Sequence, residues 1–156
     1  THTHDPLIFA AGVEQEGAMR SVYTKGAHSC LLVYDVTNPR SFERMKEWHA
    51  ELMAQNGQTF PLTPIMVLAN KVDAPEEKRA VQYNEADSWC EEQNVCAPLT
   101  PSLSPAHSLA HSLFSKLTHA EVSARDGTGV EAAFTEAAKK ALIYYGTLLP
   151  SPTNPL

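Results

Sequence analysis

Basic charge is scarce in this sequence. Twelve Lys and Arg stand against 18 Asp and Glu, for a formal net charge of -6. Nucleic-acid and anionic-membrane surfaces need basic patches, so neither partner is expected. Cysteine is scarce too: Cys30, Cys90 and Cys96 are spaced neither as a disulfide framework nor as a zinc site. A reducing, cytoplasmic setting follows as the expectation. Long apolar runs are missing, and none approaches the roughly 18 residues of a membrane span. The start, THTHDPLIF, has no basic region before an apolar stretch, so a secretory signal is not expected there. The end, PSPTNPL, has no cysteine to prenylate, so no lipid anchor is visible.

What is present suits one domain with an ordinary core, since 43% of the residues are hydrophobic and 19% charged. LIFAA (7–11) is a short apolar run before Gly12 and predicts a buried strand. From Glu14 to Lys25 the chain is polar, with Met19, Val22 and Tyr23 at helical spacing. SCLLVYDV (29–36) and PIMVLAN (64–70) are continuously apolar, the pattern of parallel strands covered on both faces. Between them, Asn38-Pro39 opens a helix running to Ala54, with Phe42, Met45, Trp48 or His49, and Leu52 on one face. Asn84 to Gln93 predicts a second helix anchored by Trp89.

Residues 97–118, APLTPSLSPAHSLAHSLFSKLT, are dominated by Ser, Pro, His and Leu and read as a low-complexity insertion. AEVSAR (120–125) predicts a short strand and loop. A last helix is expected over 129–145, with Val130, Phe134, Ala138, Leu142 and Tyr145 toward the core. The domain would occupy 1–146, followed by a Pro-rich tail at 147–156. Strand and helix alternate throughout, which predicts an α/β fold with a mainly parallel sheet and helices on both faces.

Ligands of such sheets bind at the carboxyl ends of strands, here Gly12, Asp35, Asn70 and Ser123. Asn70, Lys71 and Asp73 suit a purine with a carbonyl and an amino group. An ionised Asp accepts two parallel N–H donors, as guanine offers. Lys71 can lay its stem over a ring while its ammonium stays wet. At the end of the next strand, the Ala124 backbone N–H can donate to a purine carbonyl and Ser123 can brace the loop. The seven histidines do not complete a metal set. His107 and His111 share a helical face but have no Cys, Asp or Glu beside them. No metal site and no catalytic residue are assigned.

The combination resembles the Ras superfamily of small GTPases, its Rab and Rab-like branches most of all. LLVYDVTNPRSFERMKEW (31–48) resembles the fourth strand and third helix of Rab proteins. NKVD matches the guanine-specificity motif, VSARDGTGVEAAF (122–134) the last base-contacting loop and helix, and GVEQEGAMRSVY (12–23) the second switch helix. The resemblance implies a three-layer P-loop GTPase-like fold that binds GTP or GDP. Asn70, Lys71 and Asp73 would hold the base, Ser123, Ala124 and Arg125 would complete that loop, and Gly12 would read the terminal phosphate. It also implies a switch in vesicle or flagellar transport that recruits effector proteins.

The departures are large. GxxxxGK[ST] occurs nowhere, so the loop that cradles phosphate and Mg2+ is missing. With it go its host strand, the following helix and the first switch. An N-terminal portion absent from this sequence is therefore expected, and Mg2+ only if that portion carries the loop. Without the central strand, a gap should open between the strand at 7–11 and that at 29–36. Phe9 and Val13 occupy the positions of the family's Asp and Gln, and neither can hold metal-bound water or orient an attacking one. Hydrolysis should be very slow. The alternative is a catalytically inactive interaction module, a subunit of a larger ciliary, axonemal or transport assembly.

Overall fold

A computed structural model describes residues 8–11, 27–55, 64–95 and 117–148. Four parallel strands form one sheet in the order β1-β2-β3-β4: β1 Ile8–Ala11, β2 Ser29–Asp35, β3 Ile65–Asn70 and β4 Thr118–Val122. The helices are α1 (Pro39–Gln55), α2 (Tyr83–Val95) and α3 (Val130–Leu148), with a short 3-10 turn at Glu76–Lys78. The fold is α/β with a parallel sheet, as the alternating pattern predicts. The helix expected at 14–25, and His107 and His111, lie outside the described residues.

The predicted gap beside the first strand does not exist. β1 pairs directly with β2, with Ile8 opposite Ser29 and Ala11 opposite Leu32. An unpaired strand edge is costly, and a parallel ladder against β2 satisfies its backbone groups.

Side chains alternate across the sheet, and each face has its own core. On one face Cys30, Leu32, Tyr34, Val67 and Ala69 pack against Phe42, Met45 and Leu52 of α1 and Ala86 and Cys90 of α2. Both crossover helices on one face is the outcome of right-handed connections in a sequentially ordered parallel sheet. Phe42 is 1% exposed, lies 4.9 Å from the Tyr34 ring and meets Trp89 edge-on at 6.1 Å. Burial of a side chain this size contributes about 2–3 kcal/mol. Of the two candidates for the third position on α1, His49 is the more deeply buried, and Trp48 packs on the margin. Asn38 caps α1 by accepting the Arg40 N–H at 3.1 Å.

The opposite face carries Leu31, Met66, Leu68 and Val122 under α3. Here the expected register of the helix is corrected. Ala133, Ala137 and Ala141 face the sheet, whereas Phe134 is 43% and Leu142 61% exposed. Three small residues one turn apart let the helix backbone approach the large sheet side chains, which fill the space themselves. Tyr145 lies among side chains that are not described.

The Ser/Pro/His/Leu-rich stretch overlaps the described residues only at Leu117 and Thr118. Leu117 is buried, and its N–H and C=O pair with the Asn94 amide at 2.6 and 3.2 Å, tying the start of β4 to the end of α2.

Candidate functional site

β2, β3 and β4 end side by side: Asp35 is in register with Asn70, and Asn70 with Val122. The loops that leave β3 and β4 are therefore neighbours, and their polar groups bond to one another. Asn70 Oδ1 accepts the Lys71 N–H at 2.8 Å and, from the other loop, the Ala124 N–H at 3.1 Å. The Val72 N–H donates to Val122 O at 3.3 Å. Lys71 takes a left-handed backbone conformation, φ 70°, unusual for a residue with a Cβ. This turn swings the following residues back over β4.

Asp73 lies at the junction. Its Oδ1 accepts the Ser123 hydroxyl at 2.7 Å, and its Oδ2 lies 3.4 Å from the Arg125 guanidinium. The Asp73 side chain is 17% exposed, while Arg125 is 84% exposed. The Ser123 hydroxyl, against the opposing effect of burial and with help from Arg125, holds the Asp73 carboxyl below its ordinary value. The carboxylate is thus kept ionised, with lone pairs to spare beyond Ser123.

Ser123 is fully buried. Its hydroxyl also accepts the N–H groups of Arg125 and Asp126 at 3.3 and 3.4 Å, so one side chain shapes its own loop and braces Asp73. The loop closes through Ser123 N–H to Thr128 O at 2.8 Å and Gly127 N–H to Ser123 O at 2.9 Å. Gly127 and Gly129 have φ of 85° and 70°. A Cβ on Gly129 would collide with the Glu121 carbonyl oxygen, whereas Gly127 faces open space. The two glycines do different work: one permits a turn, the other also a close approach to β4.

All six candidates from the two loops, Asn70, Lys71, Asp73, Ser123, Ala124 and Arg125, thus fall within one patch. Gly12 lies outside the described residues. The Ala124 N–H, expected to serve a purine carbonyl, is engaged by Asn70, which makes Asn70 a cross-link between loops.

Two contributors carry no assigned role in the sequence reading. Arg79 donates Nε–H to Ala74 O at 3.2 Å, another guanidinium N–H to Val72 O, and lies 3.7 Å from Glu121 Oε1. One cation thereby fastens the NKVD loop to β4. No periodic pattern marks it, being an arginine in a loop after Asp73. Asp35 stands out as a strand end, but only the structure shows its partner, Lys71 Nζ at 2.6 Å.

Phosphate and Mg2+ contacts are a different matter. Among the described residues no cluster of three His, Cys, Asp or Glu side chains is arranged to hold a metal ion. No described helix is long and apolar enough to cross a membrane.

Residues 6–102 match the family model described as Ras family. Among curated proteins the chain is similar to the Ras-related protein Rab-7a of Paramecium octaurelia, 33% identical over 132 residues, which is 84% of this chain and 53% of that protein. It is 32% identical to the Ypt/Rab-type GTPase ypt7 of Schizosaccharomyces pombe over 133 residues, 85% of this chain and 55% of the relative. Rab7 of Drosophila melanogaster is 33% identical over 133 residues, 85% and 53% of the two chains. The chain spans about half the length of the curated relatives it matches.

Proposed function

This chain belongs to the Ras family, and from that premise we propose that it is the base-recognising part of a Rab-like small GTPase that binds GTP or GDP. The observation that carries the reading is Asp73: an ionised carboxylate, braced by Ser123, at the meeting of two strand-end loops. Such a group accepts the paired N1–H and exocyclic N–H of guanine and leaves adenine unmatched. Lys71 supplies an apolar stem to lie along the ring. Asn70 positions both loops through its amide oxygen, and Ser123, Ala124 and Arg125 form the second wall. Gly12 is proposed as the backbone donor to the terminal phosphate on the resemblance alone. Mg2+ is assigned to none of these residues.

The biological role proposed is that of the relatives' class, a nucleotide switch in vesicle transport that recruits effector proteins. A second reading is favoured by Phe9 and Val13, which can neither hold metal-bound water nor orient an attacking one. It is a GTPase-like module that keeps guanine nucleotide as a structural element within an assembly. A ciliary or flagellar assembly is proposed for it on the DGTGV and ANKVDA stretches.

The test is to purify the full-length protein, release bound nucleotide with acid and separate it by chromatography. GTP or GDP near one per chain supports guanine recognition in either reading. Folded protein that is empty and takes up no added GDP overturns it.

A further inference from the structure

Lys71 is held at both ends. Its backbone is fixed in the left-handed turn and by Asn70, and its ammonium lies 2.6 Å from Asp35 Oδ2. An exposed Lys–Asp pair is usually a weak, mobile contact. This one differs in how firmly its acid is set. Asp35 is the last residue of β2, directly in register with Asn70, and its side chain is 21% exposed. Its second oxygen, Oδ1, is already taken by the Thr37 N–H at 2.8 Å and the Thr37 hydroxyl at 2.7 Å. Its own N–H donates to Ser41 Oγ at 2.9 Å, and that hydroxyl donates to Asn38 O at 2.6 Å. The carboxylate therefore presents one free oxygen in a fixed direction, and Lys71 occupies it.

We propose that Asp35 is a positioning residue of the guanine site, which acts by holding the Lys71 side chain in place before the base arrives. The inference rests on the base-binding reading of Asn70, Lys71 and Asp73. A lysine has a flexible four-carbon stem, and ordering it on binding costs affinity. Anchoring the ammonium across the strand ends removes that cost and lays the stem at the mouth of the site, between Asp35 and Asp73. Burial alone would raise the Asp35 carboxyl, but Lys71 and Thr37 outweigh it and hold it below its ordinary value, while the Lys71 ammonium is raised mainly by its bond to Asp35. Both directions agree with a formed pair.

The test is a double-mutant cycle on the full-length protein, read as the Kd for GDP. Asp35→Asn keeps an oxygen for Thr37 and loses the ion pair, so the fold is retained. It is expected to weaken GDP binding by roughly threefold to tenfold, as is Lys71→Met. In the Lys71→Met background, Asp35→Asn should then do nothing further. Asp35→Glu, which keeps the charge, should recover part of the loss. In the nucleotide-free protein, the Lys71 ammonium should titrate lower in Asp35→Asn than in wild type. Equal losses that simply add, or no loss from Asp35→Asn, would overturn the proposal while leaving the base site intact. A wild-type protein that binds no GDP would overturn the base-site reading itself.

Discussion

The carboxyl ends of β3 and β4 differ in kind from the stretch around β1. After β3 and β4, Asn70, Asp73 and Ser123 bond across from loop to loop, Arg79 ties its own loop to Glu121 of β4, and two left-handed glycines set the turn. Around β1, the resemblance calls for an Asp and a Gln, and the chain has Phe9 and Val13. One region carries all the polar groups its proposed task requires. In the other, Phe9 and Val13 stand where the resemblance places the two that its task would require. The proposed base recognition and the family's phosphate chemistry draw on separate segments, so the first can persist without the second.

The sharpest way to break this contrast is to remove the charge that the base would read. Asp73→Asn is expected to weaken GDP binding roughly 10²–10³-fold and to improve binding of xanthosine diphosphate, measured by competition. Unchanged base preference would remove Asp73 from the site. Next in size is the loop wall. Gly129→Ala forces a Cβ against the Glu121 carbonyl and an Ala into left-handed backbone. We expect a loss of about 2–4 kcal/mol in chemical denaturation. Gly127→Ala, with open space around it, should cost only about 1–2 kcal/mol from backbone conformation. Equal effects at the two glycines would mean that close packing on β4 is not what fixes the loop.

Smaller effects come from pH. His49 and His119 are both lowered from 6.5, chiefly by burial, with Asp87 and Glu121 partly offsetting this at His119. His49 lies edge-on to Trp89 at 5.3 Å, and His119 accepts or donates at Nε2 to the Tyr34 hydroxyl at 3.1 Å. Nδ1 of His119 is buried with no hydrogen-bond partner among the described residues. The unfolded chain then binds more protons than the folded one below pH 6.5, so stability falls as pH drops through that value. The Asp73 and Asp35 carboxyls are lowered from 3.8, so their contribution is lost only below that pH. Thermal melting should weaken between pH 6.5 and 5 while GDP affinity stays flat. Affinity falling in step with the histidines would couple the site to the core. The smallest effect expected is at the other region: Val13→Gln should leave GDP affinity within about twofold, since it adds nothing to the base contacts.

Much of this was legible in the residues, for physical reasons. Continuous apolarity in SCLLVYD and IMVLAN means burial on both faces, and the structure buries both strands that way. Asn38-Pro39 marks a helix start because the amide caps and the ring presets the backbone. NKVD stands out because polar residues follow a buried strand. The α3 register was not legible, because hydrophobicity favours Phe134 and Leu142 and only the close approach of the sheet selects Ala133, Ala137 and Ala141. β1 pairing was not legible either, since a four-residue ladder is decided by which neighbour is available. Arg79 acts through carbonyl oxygens, which no sequence pattern records.

The central claim is that Asp73 reads two N–H groups of guanine. The direct measurement is the ratio of GDP to inosine diphosphate affinity on the full-length protein, because inosine lacks only the exocyclic amine. The account predicts GDP binding tighter by roughly 10-fold to 10²-fold, the loss of one hydrogen bond to a charged group. Equal affinities for the two nucleotides would contradict it.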